Sequence, residues 1–217
     1  MASENVRELR FISKELRTAK GDSPKLAGLA ARFNSPANIS GLFTEKILPG
    51  AFTATLAGGA DVRALFNHNA DHVLGRTKNN TLRLWESSVG LEFECDLPET
   101  EIARQVHTLV SRGDVSQCSF GFTVDAEHWI PATRTGELPT RELQSVTLTD
   151  ISCVTYPAYE NTSVQARSAQ FPAGTAFVER SAAKAAAVTA ANPAAQFPEL
   201  ATDAELDALY RRAHFLN

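Results

Sequence analysis

One predicted strand carries two residues whose chemistry could make them nucleophiles, Cys118 and Ser119. Side chains alternate along an extended strand, so Cys118 shares a face with Phe120 and Phe122. Ser119 falls on the other face with Gly121, which leaves room for a substrate backbone. The apolar face is expected to enter the core, which would bury Cys118 and direct Ser119 towards a cleft. Since a buried thiol is inert, Ser119 is the predicted nucleophile, with Cys118 as its rival and an uninvolved surface serine as the simpler alternative.

A histidine that could serve as the base follows an apolar run further upstream. His68 is flanked by Asn67 and Asn69, a context typical of a turn that could present an imidazole to a cleft. Serine proteolysis needs such a ring to take the hydroxyl proton and return it to the leaving amine. A turn histidine bonded to backbone is the alternative. His68 and His72 are also spaced as zinc ligands on a helix, but the asparagines favour a turn, so no metal or cofactor is expected.

An acid that could orient this imidazole occurs near the end of the strand-rich region. Asp150 alternates with apolar residues in a predicted strand that runs into a turn at Pro157. A buried carboxylate needs a partner, and one that accepts the imidazole N–H would fix its tautomer. Asp71 and Glu92 compete for this role, and an exposed strand residue or turn cap is the alternative for Asp150.

Short strands separated by turns must position these three residues. A helix is predicted from residues 98–101 to Gly113, because Ile102, Val106 and Val110 fall on one face. Leu9–Leu16 fits either a strand or a helix. Many short strands with one or two helices favour a mixed barrel or folded sheet over a parallel α/β fold. The predicted strands are Leu26–Phe33, Arg63–Phe66, Thr81–Trp85, Gly90–Cys95, Gln117–Val124 and Gln144–Val154.

The composition is that of a globular protein and excludes several classes. The 217 residues are 43% hydrophobic and 21% charged, with a net charge of −4, which argues against nucleic acid as the partner. No apolar stretch is long enough to span a bilayer, and the first residues lack a secretory pattern, so a cytoplasmic protein is expected. Cys95, Cys118 and Cys153 form no CxxC pair and are predicted to be reduced core residues.

The composition changes near Arg167, which divides the chain into three parts. Residues 1–167 are predicted to form one domain. Residues 168–202 are rich in alanine and proline and have few large apolar side chains, which predicts a disordered linker that is helical in part at most. Residues 203–217 are predicted to form a short C-terminal helix, because an acidic first turn precedes apolar residues at helical spacing.

Taken in order, these segments resemble the prohead maturation proteases of tailed bacteriophages, a family thought to share its fold with herpesvirus assemblin. The resemblance extends over about residues 7–165. The motifs that carry it are Gly28–Asn34, Ile47–Phe52, Leu65–Thr77, Arg112–Phe122 and Leu148–Ala158.

The resemblance implies an α+β fold, with a mostly antiparallel, barrel-like β core similar to assemblin, a few flanking helices and a flexible C-terminal extension. It implies a serine endopeptidase that works through an acyl-enzyme. Ser119 matches the family's nucleophile and His68 its catalytic histidine. Asp150 matches the acidic position before the Pro-Ala turn, where Glu is more common in the family, and the assemblin branch has a histidine in this role.

The resemblance also implies the partners and the compartment. The expected substrates are the scaffolding segment of the major capsid protein and the protease itself, and a homodimer is expected. Neither nucleic acid nor membrane is expected as a partner. The protein would act inside the assembling procapsid in the host cytoplasm. The alanine-rich composition after Arg167 suggests the separate hypothesis that this extension docks the protease to the shell and is removed by self-cleavage. The alternative is a catalytically silent scaffolding protein with the same fold.

Overall fold

The computed structural model of the protein describes residues 7–12, 16–19, 24–156, 182–188 and 190. Its strands are β1 (Glu8–Ile12), β2 (Leu16–Ala19), β3 (Lys25–Arg32), β4 (Ala37–Ile39), β5 (Phe43–Ile47), β6 (Arg63–Phe66), β7 (Asn69–Arg76), β8 (Leu82–Glu86), β9 (Gly90–Asp96), β10 (Gln117–Ile130) and β11 (Thr140–Val154). Its helices are α1 (Thr53–Ala57), a 3-10 turn (Thr77–Asn79), α2 (Glu101–Arg112) and residues 182–188.

The strands form two sheets. The first runs in the order β1-β10-β11-β5-β4, and β6 and β7 continue it from the other half of β11. Strand β11 is antiparallel to β10 but parallel to β5 and β6. The second sheet is antiparallel, in the order β2-β3-β9-β8. The predicted strand-rich fold with few helices is confirmed. The predicted barrel-like closure is not found in the described residues, where the strands pair within two separate sheets.

One apolar core lies between the sheets and takes large side chains from both. The rings of Phe33, Phe52, Phe120 and Phe122 follow one another through it, with successive centroids 6.2, 5.9 and 5.2 Å apart. Phe120 and Phe122 come from β10, so the predicted apolar face of this strand is confirmed. Because the other face of β10 then points away from this core, the position of Ser119 follows from the alternation.

Helix α2 forms where the sequence predicts it. Thr100 caps its first turn, with Oγ1 accepting a hydrogen bond from the Ala103 N–H at 3.4 Å. Gly113 ends it with φ 84°, a left-handed conformation that glycine adopts without a steric penalty. Val106 and Val110 are buried on its inner face. The cap, the terminal glycine and the apolar face are all local signals, which is why the sequence predicts this helix well.

A bulge in β11 sets which of its residues face the site. Gly121 pairs with Asp150, but the next residue, Phe122, pairs with Leu148, so Thr149 is the extra residue of the bulge. In a regular strand, residues 148 and 150 would lie on the same face. The extra residue lets Leu148 enter the core while Asp150 faces the opposite side. The carboxylate is therefore aimed by the bulge.

Four buried charged residues tie β1 to the sheet: Glu8, Arg10, Glu45 and Arg141, here called the buried charge cluster. Their side chains are at most 10% exposed. Arg10 Nη2 donates to Glu8 Oε2 and Glu45 Oε2, both at 2.8 Å, and Arg141 Nη1 donates to the same two oxygens at 2.9 Å. Burial raises the pKa of Glu8, although Arg10 and Arg141 oppose that shift. The cluster holds β1 against the sheet, because pulling any one member away would leave the others as uncompensated buried charges.

Replacing Arg141 by methionine should destabilise the fold by about 3 to 5 kcal/mol, because Glu8 and Glu45 would keep their buried charges with one cation fewer. Urea unfolding followed by circular dichroism measures this loss. Arg134→Met is the matched control, since Arg134 is exposed in the loop between β10 and β11. Equal unfolding midpoints for the two variants would contradict the importance assigned to the cluster.

The described residues beyond Tyr156 form a helix over 182–188. Ala185 packs against Ile39 and Phe43, and Lys184 forms an ion pair with Glu127. This helix lies inside the predicted linker 168–202, whose boundaries stay a prediction, as does the domain boundary at 167. The predicted helix 203–217 lies outside the described residues. No helix in the described part of the chain is both long and apolar enough to cross a bilayer.

Candidate active site

His68 is held by the two-residue turn of the β6–β7 hairpin. Asn67 and His68 both have positive φ, 54° and 56°, as a type I′ turn requires of its central residues. Asn and His tolerate this region better than most residues. The Asn67 N–H donates to the Cys153 carbonyl at 2.9 Å, its Oδ1 accepts from the Thr155 N–H at 3.0 Å, and the His68 N–H donates to Ser152 Oγ at 3.2 Å. The end of β11 therefore fixes the turn.

Ser119 lies in the middle of the first sheet, with Ser152 of β11 as its cross-strand partner. Its side chain is on the face opposite Cys118 and Phe120, as the alternation predicts. The predicted opening of this face onto a cleft is wrong for this conformation, because Ser119 has 0% of its surface exposed. Strand β1 pairs with β10 on its other edge, so backbone strands flank Ser119 on both sides.

The structure brings together the three residues that the sequence singles out. His68 Nε2 lies 2.5 Å from Ser119 Oγ, and His68 Nδ1 lies 2.5 Å from Asp150 Oδ2. The His68 and Asp150 side chains are 1% and 3% exposed. These residues are 51 and 82 positions apart from His68 along the chain, so long-range strand pairing creates the contact.

The positions of the protons in this chain of hydrogen bonds follow from the ionisation state of Asp150. Burial by itself would raise the pKa of Asp150, but the hydrogen bond and charge of His68, and then the charge of Arg7, outweigh it and hold the pKa below the ordinary 3.8. An ionised carboxylate can only accept, so Nδ1 must carry the proton. Nε2 then has a free lone pair directed at Ser119, whose hydroxyl donates to it. This arrangement can activate a serine for attack on a carbonyl carbon.

Three further residues hold the Asp150 carboxylate, and the sequence singles out none of them. Thr149 Oγ1 donates to Asp150 Oδ1 at 3.3 Å. Ser152 Oγ donates to Asp150 Oδ2 at 3.2 Å and lies equally far from His68 Nδ1. Arg7 Nη2 donates to Asp150 Oδ1, and Arg7 Nε donates to Thr149 Oγ1 at 3.2 Å. Ser152 could have been found, because it follows Asp150 by two and shares its strand face. Arg7 gave no local signal, since it precedes a segment that fitted strand or helix equally well.

Gly121 makes room for this arrangement. A Cβ at Gly121 would overlap Asp150 Oδ1 and would lie 2.8 Å from Arg7 Nε. The sequence analysis assigned this space to a substrate backbone. In the structure the Arg7 guanidinium and the Asp150 carboxylate fill it, so the glycine serves the residues of the site itself.

The alternative residues named from the sequence lie elsewhere. Cys118 is buried in the core, and burial raises the pKa of its thiol to about 12. Asp71 is exposed on β7, and Glu92 lies on β9 of the other sheet. The His72 ring packs 6.4 Å from the ring of Phe66. Cys95 and Cys153 are also buried free thiols, as predicted.

Replacing Cys118 with alanine should leave peptidase activity at the wild-type level, because its sulfur is protonated and on the far face of β10 from Ser119. The lost core volume should reduce stability by about 1 kcal/mol. Cleavage assays and thermal unfolding of the same preparation separate the two effects. Loss of cleavage in Cys118→Ala, with Ser119→Ala still active, would instead identify a cysteine hydrolase.

The family model described as Caudovirus prohead serine protease matches residues 11–175. The chain belongs to this family of prohead serine proteases. Among solved structures, it is similar to the capsid assembly protease of bacteriophage T4, with 8% identity and a TM-score of 0.46, over 69% of this chain and 97% of that one. No curated protein matches this chain.

Proposed function

We propose that the protein is a serine endopeptidase that cleaves the scaffolding segment of its phage's major capsid protein, and also itself, as the procapsid matures. The observation that carries the proposal is the 2.5 Å contact between Ser119 Oγ and His68 Nε2, with Asp150 behind the ring. Membership of the prohead serine protease family supports the reaction class. Ser119 is the proposed nucleophile, His68 the general base and acid, and Asp150 the orienting acid.

The proposed reaction uses each of these contacts in turn. Ser119 Oγ attacks the scissile carbonyl carbon while its proton moves to His68 Nε2, and Asp150 stabilises the imidazolium that forms. The tetrahedral intermediate collapses as Nε2–H protonates the leaving amine, which breaks the C–N bond and leaves an ester on Ser119. Water then attacks the ester, giving its proton to Nε2, and the ring returns that proton to Ser119 as the new carboxylate leaves.

Substrate access must involve a change from the conformation described here. Because Ser119 has no exposed surface, a peptide bond can reach its hydroxyl only after neighbouring structure moves. A protease that is closed before assembly suits a capsid, since early cleavage of the scaffold would prevent the shell from forming. We therefore place the activating step inside the assembling procapsid in the host cytoplasm, where a homodimer would act.

Self-cleavage is proposed to fall after the protease domain. Residues 168–202 are rich in alanine and other small residues, a composition that is cut readily where the chain is exposed. Helix 182–188 contacts the domain, because Ala185 packs against Ile39 and Phe43 and Lys184 pairs with Glu127. Cleavage of this extension would release the protease from the shell to which the extension docks it.

Co-expression with the major capsid protein of the same phage tests the proposal. Wild type should yield a shortened capsid protein and a shortened protease by intact mass, and Ser119→Ala and His68→Ala should yield neither. Ser111→Ala is the matched control, because Ser111 is an exposed serine of α2 whose hydroxyl donates to the His107 carbonyl of the same helix. Full-length masses for wild type inside procapsids would contradict the proposal.

One observation favours a second candidate, a catalytically silent scaffolding protein with the same fold. The complete burial of Ser119 is what a fold retained for structure alone would also show. The same experiment decides between the candidates. The silent protein would leave the capsid protein uncut, and Ser119→Ala would assemble procapsids as well as wild type does.

A further inference from the structure

The two faces of strand β1 make different contacts, one with the buried charge cluster and the other on the Ser119 face of the sheet. Glu8 and Arg10 point into the buried charge cluster, and Arg10 also lies over the Phe122 ring at 5.4 Å from its centroid. Leu9 lies opposite Gly121, on the Ser119 face of β10. Arg7, the residue just before β1, reaches Asp150. The cluster fixes the position and register of β1 and thereby delivers Arg7 to the site.

Arg7 and Thr149 bind Oδ1 of the Asp150 carboxylate, and His68 and Ser152 bind Oδ2. Arg7 Nη2 binds Oδ1, and His68 Nδ1 binds Oδ2 at 2.5 Å. Arg7 Nε is anchored separately by Thr149 Oγ1 at 3.2 Å, on the extra residue of the bulge. The planar guanidinium binds Asp150 Oδ1 through Nη2 and Thr149 Oγ1 through Nε, which restrains the position of the carboxylate that faces the imidazole.

The residues packed around the contact between Arg7 and Asp150 leave a space that fits both side chains. The space between Arg7 and Asp150 exists because residue 121 is glycine, as a Cβ there would meet both side chains. The other cation near Asp150 by strand register is Arg63 of β6, and its guanidinium pairs with Asp61 at 3.2 Å. Among the described residues the charged groups that contact the carboxylate are thus Arg7 and, when protonated, His68.

We infer that Arg7 is a positioning residue of the active site, acting on His68 through Asp150, so that strand β1 is needed for catalysis as well as for folding. The inference rests on the proposed serine peptidase function. Arg7 neither touches the reacting atoms nor exchanges a proton with them. Its side chain is 35% exposed, so a small guanidinium ion in solution can reach the space that its removal would leave.

The rate at which a fluorophosphonate modifies Ser119, measured in procapsids assembled by co-expression with the capsid protein, tests this inference without a known cleavage site. In Arg7→Ala the carboxylate loses its cationic partner at Oδ1. The rate should fall by about 10-fold to 100-fold, the range expected when a catalytic group shifts by up to about 1 Å. Ethylguanidinium added to this variant should restore much of the rate. Arg7→Lys should be intermediate, because an ammonium cannot hold Asp150 and Thr149 in the same geometry.

The pH dependence gives a second readout that a purely structural role would not move. The charge of Arg7 helps to lower the pKa of Asp150. Without this positive charge, the Asp150–His68 pair should take up a proton at higher pH, so the acid-side loss of Ser119 modification should move to higher pH in Arg7→Ala. Arg104→Ala, which removes an exposed arginine from α2, should match wild type in both rate and pH profile.

The outcomes separate this inference from the proposed function. A slower Arg7→Ala that ethylguanidinium rescues, with a wild-type melting temperature, supports the positioning role. A wild-type rate in Arg7→Ala, or a loss that follows a lowered melting temperature and resists ethylguanidinium, overturns it while the peptidase proposal stands. Wild type that never becomes modified at Ser119 in opened or assembled protein overturns the proposed function instead.

Discussion

Replacing Ser119 with alanine should reduce peptide hydrolysis by about 10⁶-fold, the loss seen when a serine protease loses its nucleophile. The reason is chemical, because no other hydroxyl in the described site replaces Ser119 at His68 Nε2, while His68 and Asp150 remain in place without an atom to activate. Cleavage of the capsid protein in procapsids assembled by co-expression, followed by gel and mass over time, measures the effect. The fold should be retained, because the substitution removes a single oxygen atom and adds no new group.

Ser111→Ala controls for the substitution itself and should cleave like wild type. A Ser119→Ala protein that keeps a tenth of the wild-type rate would show that the nucleophile is another group. Ser152 would then be the first residue to replace, because its hydroxyl lies 3.2 Å from the other imidazole nitrogen.

The second large effect is expected for Asp150→Asn, at about 10⁴-fold in kcat. An amide nitrogen facing the ring would donate to Nδ1, so the proton would move to Nε2 and the ring would no longer accept from Ser119. The loss should appear in kcat with little change in KM, since Asp150 lies behind His68 and away from the substrate. Steady-state cleavage kinetics on a peptide taken from the capsid cleavage site would measure both constants.

The double variant Ser119→Ala/Asp150→Asn provides the control for Asp150. Residues that act as one unit are not additive, so the double variant should be no slower than Ser119→Ala alone. A near wild-type kcat in Asp150→Asn would contradict the proposed role of Asp150 in orienting His68.

The parts of the site that the sequence predicts well are those with a local signal. The alternation of β10 places Ser119 opposite Cys118, and the asparagines around His68 mark the turn that holds it. Helix α2 is equally clear because its cap, its apolar face and its terminal glycine lie within a few residues of one another. Each of these features depends on neighbours in sequence, which a single chain displays directly.

The parts that the sequence does not predict depend on which strands pair. The buried charge cluster joins Glu8 to Arg141 across 133 residues, and in sequence each of its members resembles an ordinary surface charge. Arg7 meets Asp150 only because β1 pairs with β10 in one register. The bulge at Thr149 is also invisible locally, although it aims Asp150. The burial of Ser119 depends on how all the surrounding elements pack, so the alternation of β10 alone does not distinguish an open cleft from a buried face.

Peptide mapping of the fluorophosphonate adduct tests most directly whether Ser119 Oγ is the atom that His68 activates. Tandem mass spectrometry of treated wild type should place the adduct on Ser119, and His68→Ala treated in parallel should carry almost none. An adduct on a different residue, or capsid cleavage by a protein whose Ser119 stays unmodified under an inhibiting dose, would contradict the account.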